Sequence, residues 1–163
     1  MLRIGLISDT HGSINPRLFD FFKNCDEIWH AGDIGDIRVT DALKEFRPLV
    51  AVYGNIDGHV VRSEFPSEAI FIREEAKIYL THIGGYPGKY ANGIANKLGV
   101  IQPDLFVCGH SHILKVMFDQ KRKLLFINPG AAGNSGLHTK ITLIRFAING
   151  RNFTDLEILE IDR

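Results

Sequence analysis

Short apolar runs that end abruptly in polar, glycine-containing clusters recur along the chain. Arg3 to Ser8 precedes Asp9-Thr10-His11-Gly12, and Leu105 to Cys108 precedes Gly109-His110-Ser111-His112. Runs of this length and composition predict buried strands, so the polar residues that follow them should gather at one edge of a sheet. Over the first third the predicted order is strand, helix, strand, helix, strand: Leu2 to Ser8, Arg17 to Lys23 behind Pro16, Glu27 to Ala31, Ile37 to Phe46, and Pro48 to Tyr53. Apolar positions at helical spacing and a proline at a helix start mark the two helices. The alternation predicts parallel pairing through right-handed crossovers, with ligands collecting at the carboxyl ends of the strands.

The second half is richer in strands. Glu68 to Arg73 and Lys77 to Thr81 adjoin across an acidic turn, and a helix is expected over Lys89 to Leu98. Leu105 to Cys108 follows, then Leu114 to Phe118 and Lys123 to Ile127 on either side of Asp119-Gln120-Lys121-Arg122. Thr139 to Ala147 meets Phe153 to Ile161 across Asn149-Gly150, a strong hairpin signal between alternating runs. So many strands exceed one sheet, which predicts two packed sheets with helices outside. No repeat, low-complexity segment or linker divides the chain, and residues 1–163 are expected to form one domain.

The residues that end the apolar runs are of one chemical kind. Asp9 and His11 are two positions apart, so in a locally extended stretch both side chains leave the same face and can share a metal; His110 and His112 repeat the spacing. Asp33 follows Gly32, Asn55 follows Gly54, and His82 closes the run before it. Carboxylate, imidazole and amide oxygen suit Mn²⁺, Fe²⁺, Co²⁺, Ni²⁺ or Zn²⁺ better than Ca²⁺ or a thiolate site, and Mn²⁺ is expected first among them. The set is too large for one open catalytic ion. It suits two ions about 3.5 to 4 Å apart that share a bridging carboxylate.

In chain order the clusters read Asp9-Thr10-His11, Gly32-Asp33, Gly54-Asn55-Ile56-Asp57, Thr81-His82 and Gly109-His110-Ser111-His112. This succession resembles the motif series of the calcineurin-like metallophosphoesterases, and the match covers most of the chain. The short length and the segment Asn128-Pro129-Gly130-Ala131 are similar to the small, single-domain phosphodiesterase branch of bacteria and archaea. The resemblance implies a four-layer αββα sandwich, two mixed β-sheets flanked by helices, with a dinuclear metal site at the strand ends. It implies that positions matching Asp9, His11 and His112 hold one ion, that those matching Asn55, His82 and His110 hold the other, and that Asp33 bridges them. Asp33, Asn55, Asp57 and His82 are the positions expected to act in catalysis.

Two divalent ions would bring more positive charge than Asp9 and Asp33 bring negative, so the site would be cationic before a phosphate arrives. The expected reaction is in-line hydrolysis of a phosphodiester by a metal-bound hydroxide, with no covalent phosphoenzyme. A phosphomonoesterase acting on a small metabolite is the alternative within this chemistry. A non-catalytic scaffold is the alternative outside it: a retromer subunit shares the fold and serves protein contacts with an eroded ligand pattern, whereas every ligand position is kept here.

The chain departs from the family at Ile56, where many members carry a histidine that helps protonate the leaving group; an aliphatic side chain cannot transfer a proton. His59, three residues on, either substitutes or is a solvent-exposed loop residue. Asp57 either orients a ligand or fixes its loop as an Asx turn. His30 either lines the site or lies hydrogen-bonded beneath it. The backbone of the Asn128-Pro129-Gly130 and Ala132-to-Gly136 segments either cradles phosphate or simply turns. Trp29 and Tyr53 are expected to pack in the core or at the rim.

Charge narrows the partners. Lys plus Arg and Asp plus Glu number 19 each, so no basic excess favours long nucleic acid, and a small phosphodiester, including a nucleotide, fits better. With 45% hydrophobic residues the chain can bury a sizeable core. Leu2 to Ile7 is too short for a signal sequence and no run would span a bilayer, which makes cytoplasm the default and a membrane partner unexpected. Cys25 and Cys108 are far apart and suggest buried hydrophobes rather than a disulfide framework. A homodimer and higher assemblies are both compatible with the sequence.

Overall fold

The computed structural model describes residues 1–163. The elements run β1 (Leu2–Ile7), α1 (Arg17–Phe21), β2 (Glu27–His30), α2 (Ile37–Phe46), β3 (Leu49–Ala51), α3 (His59–Glu64), β4 (Glu68–Arg73), β5 (Ala76–Thr81), β6 (Gly85–Tyr86), β7 (Lys89–Tyr90), α4 (Ile94–Ile101), β8 (Leu105–Val107), β9 (Leu114–Asp119), β10 (Leu124–Pro129), β11 (Lys140–Asn149) and β12 (Asn152–Asp162). Two five-stranded sheets result, ordered β12-β11-β1-β2-β3 and β4-β5-β8-β10-β9, with β6 and β7 as a separate small ribbon. Both large sheets are mixed. In the first, β1, β2 and β3 pair in parallel while β11 joins β1 antiparallel; in the second, β5, β8 and β10 are parallel between antiparallel edges.

Period-two alternation sorts the strand side chains into three packed layers. Ile4, Leu6, Ile78, Leu80, Leu105, Val107, Ile127, Ile144, Phe146 and Ile148 point between the sheets and form one core. The intervening residues face outward: Ile7, Ile28 and Leu143 meet Leu18 and Phe22 near α1 and Val39 and Leu43 of α2, while Tyr79, Phe106 and Phe126 meet Ile94 and Leu98 of α4. Burial on both faces is why β1, β5 and β8 read as largely apolar runs, interrupted near their starts by Arg3 and Lys77. The result is the helix, sheet, sheet, helix sandwich expected from the sequence.

The helices that return the chain in the first half have identifiable ends. Asp36 caps α2 by accepting from the Arg38 amide at 2.9 Å. At the other end Arg47 donates to the carbonyl oxygens of Cys25 and Lys23, at 2.7 and 2.6 Å, and so ties α2 to the chain entering β2.

Three expectations need correction. The helix expected over Lys89 to Leu98 is displaced to Ile94–Ile101, because Tyr90 pairs with Gly85 in the β6–β7 ribbon and Gly93, at φ +83°, is a left-handed break before the helix. His59 is not in a loop but opens α3, a helix too short to carry apolar periodicity and buried only at Val61. In the last hairpin Asn149 pairs with Asn152, so the turn residues are Gly150 and Arg151 rather than Asn149 and Gly150. Both cysteines are free and buried, and burial pushes the Cys25 thiol up to about 11 and that of Cys108 to about 12.

Candidate metal centre

Every ligand candidate leaves the carboxyl end of a strand. Asp9 and His11 follow β1, Asp33 follows β2, Asn55 follows β3, His82 follows β5, and His110 and His112 follow β8. Five of them, Asp9, His11, Asp33, His110 and His112, sit at φ between +46° and +73°. Left-handed backbone at non-glycine residues is costly and persists where neighbouring contacts enforce it. Those contacts are present: the Asp9, His11 and Gly12 amides donate to the carbonyl oxygens of Gly32, Asp33 and Ile34, and the Gly109 amide donates to that of His82.

The side chains converge as two groups. Donor atoms of Asp9, His11 and His112 lie within 4.8 Å of one another, and so do those of Asp33, His82 and His110. Asp9 Oδ1 is 3.2 Å from His112 Nε2 and 3.7 Å from His11 Nε2; Asp33 Oδ2 is 3.2 Å from His82 Nε2 and 3.5 Å from His11 Nε2. Asp33 thus reaches toward both groups. Asn55 joins the second through its Oδ1, 3.0 Å from His110 Nδ1.

These groups fit divalent ions. Asp9 Oδ1, His11 Nε2 and His82 Nε2 are buried and have no hydrogen-bond partner, although each faces another ligand candidate. Unpaired buried polar atoms are rare, and a cation among them satisfies all three at once. Nitrogen and oxygen ligands about 2.0 to 2.2 Å from an ion stand about 3 to 4 Å from one another, which is the spacing observed. Asp9, Asp33 and His82 are nearly inaccessible, whereas Asn55 and His110 are exposed, so the centre has a buried floor and an open rim.

The surroundings hold this floor rigidly. Asp9 Oδ2 accepts from Ser8 Oγ at 2.6 Å and from the His110 amide at 3.0 Å, which leaves Oδ1 for the centre. Asp33 Oδ1 accepts from the Ile56 amide at 3.0 Å, leaving Oδ2. Burial works against ionisation of Asp33, but His82, the Ile56 amide and the His11 charge hold its carboxyl below the usual range. Burial also works against the His82 imidazolium, and the Asp33 and Asp9 carboxylates outweigh it, so its pKa is raised.

Asp57, expected among the catalytic residues, spends both oxygens on backbone. It accepts from the Gly54, Ile34 and Gly35 amides at 2.8, 3.1 and 2.8 Å, which locks the Asn55 loop to the Asp33 loop. Its contacts are those of a positioning residue. His30 lies beneath the site: Nδ1 accepts from the Gly32 amide at 3.1 Å, which leaves Nε2–H to meet Thr10 Oγ1 at 2.9 Å. Burial pushes its pKa down to about 3, so it is neutral. The amides of Gly130, Ala132 and Gly133 bond to Asn128 Oδ1, Ser8 O and Asp9 O, so this turn supports the Asp9 loop rather than offering those groups to phosphate. Ile56 is half exposed at the rim, and His59 is exposed.

Some participants carried no distinguishing pattern in the sequence. Ser8 looks like an ordinary strand-end polar residue until its bond to Asp9 is seen, and Asn128, marked in the sequence only as part of its turn, holds the Gly109 carbonyl. His138 lies in a glycine-rich stretch without periodicity, yet its ring stands edge-on to His112 at 5.1 Å, with Nε2 donating to Gly133 O at 2.7 Å.

A family model for the calcineurin-like phosphoesterase superfamily domain matches residues 2–151. The chain belongs to that superfamily. Its members bind divalent metals at a dinuclear site, and this chain carries both candidate ligand groups. A probable metallophosphoesterase of Methanocaldococcus jannaschii is 34% identical over 137 residues, covering 78% of this chain and 67% of the relative. Among solved structures, Vps29 of Entamoeba histolytica complexed with Zn²⁺ has a TM-score of 0.76 at 18% identity, covering 99% of each chain. A novel archaeal phosphodiesterase has a TM-score of 0.73 at 19% identity, covering 97% of this chain and all (100%) of the other. At such identities these two likenesses show the fold alone. No helix is long and apolar enough to cross a membrane.

Proposed function

We propose that this phosphoesterase is a metal-dependent phosphodiesterase of the cytoplasm, acting on a small phosphodiester such as a nucleotide by in-line hydrolysis. The observation that carries the reading is the pair of ligand groups whose buried donor atoms lack partners within the protein. Bound divalent ions supply Lewis acidity, activate water and neutralise charge on the attacking and leaving oxygens. The chain's own part is to hold Asp9 and Asp33 with one oxygen committed to backbone and the other free, to keep His82 and His11 against them, and to leave Asn55 and His110 open to an incoming phosphate. Mn²⁺ is the ion expected first, by ligand chemistry.

Ile56 favours a diester over a monoester. It contributes a backbone N–H to Asp33 but no side-chain proton for a leaving group, so ester oxygens that leave as stable anions suit the site best. Balanced charge argues against long nucleic acid, and two free cysteines accord with a reducing compartment. The fold likeness to Vps29 supports a second reading, a protein-interaction scaffold that keeps a metal site.

The deciding experiment strips the protein of metal, resupplies Mn²⁺, Ni²⁺ or Zn²⁺, and offers a matched aryl phosphodiester and phosphomonoester. Turnover of the diester is expected. Preference for the monoester would replace the reading with a phosphomonoesterase, and metal binding without turnover of either would favour the scaffold.

A further inference from the structure

Beside the metal centre lie two cavities that share Ser111 and Ile113. One, of about 480 Å³, is lined by the ligand candidates His110 and His112 and by His138; the other, of about 210 Å³, is lined by Ser111, Tyr86, Lys115 and Asn128. The two adjoin at these shared residues, so together they run as one open groove from His110 and His112 to Lys115. Lys115 is three residues from His112, so their Cα atoms are at most about 10 Å apart.

The far end of this groove is cationic and otherwise idle. Lys115 has no carboxylate within ion-pair distance; its ammonium rests over the Tyr86 ring, 4.1 Å from the centroid. Cation–π contact fixes the charge in place without neutralising it. Ser111 Oγ accepts from the Asn128 side chain at 3.0 Å and from the Ile113 amide at 3.2 Å, so its own proton is free to donate at the junction of the two cavities. Exposed Ile113 lines both and gives the groove an apolar side.

We propose that this groove holds the arm of the phosphodiester that is not displaced, and that Lys115, steadied by Tyr86, recognises a second phosphate group on that arm. The inference rests on the phosphodiesterase reading and narrows its substrate to diesters carrying a further phosphoryl group. Ser111 bridges the two ends, donating to an oxygen of the bound ester.

The test uses metal-loaded protein and two aryl phosphodiesters that differ only at the end of the retained arm, one closing in a phosphonate, which is not itself hydrolysed, and one in a hydroxyl. Wild type should prefer the phosphonate-ended compound, chiefly through KM. In Lys115→Met the preference should fall roughly tenfold, the size of one charge-assisted hydrogen bond, and Lys115→Arg should restore part of it. No preference in wild type, or an unchanged preference in Lys115→Met, overturns the groove assignment while leaving the phosphodiesterase reading intact. If wild type turns over neither compound, that reading fails, and calorimetric binding of the two compounds decides the groove: tighter binding of the phosphonate-ended one, lost in Lys115→Met, upholds it, and equal binding overturns it.

Discussion

Asp33 is aimed by Ile56: the Ile56 amide holds Oδ1 at 3.0 Å, and Oδ2 is thereby left facing His82 at 3.2 Å and His11 at 3.5 Å. The residue that cannot donate a side-chain proton contributes through its backbone. Asp33→Asn can keep the Ile56 contact but turns an amide N–H₂ toward the place where Oδ2 pointed, and an amide nitrogen does not bind a cation. Bound metal should fall below two ions per chain by elemental analysis, with turnover reduced by at least about 10²-fold, the upper range for disturbing a metal's polar support. Full occupancy and full rate in the variant would remove Asp33 from the bridging position.

Asp57 tests whether loop geometry limits the centre. Its carboxylate is the shared acceptor for three amides on two loops. Asp57→Asn has one oxygen, which can keep the Gly54 and Ile34 amides that share Oδ2, and turns its N–H₂ against the part-buried Gly35 amide on the Oδ1 side, so stability should fall by about 1 to 2 kcal/mol in urea unfolding. Because the Gly35 amide closes the loop that carries Asp33, metal affinity should drop most at the group containing Asp33. A variant as stable as wild type would mean that the loops are held elsewhere.

His30 predicts the acid limb of stability in metal-free protein. Its folded pKa, about 3, is depressed below the unfolded value of 6.5, chiefly by burial. The fold therefore favours the neutral ring: the contribution is complete above pH 6.5 and is lost progressively as pH falls toward about 3, since the unfolded chain takes up the proton first. His30→Gln keeps an acceptor for the Gly32 amide and a donor for Thr10, but no titration. Unfolding free energy measured across this range should decline less steeply in the variant, by up to one proton's worth of slope. Parallel curves would show that His30 is protonated in the fold.

Much of this architecture was legible because the pattern that marks a strand buried on both faces also marks its end. Beyond Arg3 and Lys77, β1, β5 and β8 are apolar to within a residue of where the sheet stops, and a ligand candidate follows within three residues. The helix α2 matched its expected span because an N-cap aspartate, a periodic face and a following proline agree. Agreement fails where long-range pairing overrides local preference. Lys89 and Tyr90 have helical neighbours in sequence, but pairing with Tyr86 and Gly85 takes them into a ribbon. His138 was invisible for another reason: its position against His112 depends on where a patternless loop folds back.

Gly109 and Gly99 separate a glycine that the centre requires from one that it does not. A Cβ on Gly109 would run into Ser8 Oγ and come within 2.7 Å of Asp9 Oδ2, the oxygen that also accepts from the His110 amide. Gly109→Ala must therefore push the Asp9 carboxylate or the His110 loop outward. Metal should be lost first from the group of Asp9, His11 and His112, and the unfolding free energy should fall by about 1 to 3 kcal/mol, as for other overpacked interiors. Gly99 lies in α4 with open space around its missing Cβ. Gly99→Ala should raise stability by about 0.5 to 1 kcal/mol through helix propensity and a less free unfolded chain, with metal binding unchanged. Equal effects of the two substitutions in thermal unfolding and metal titration would show that Gly109 is not selected by contact with Asp9.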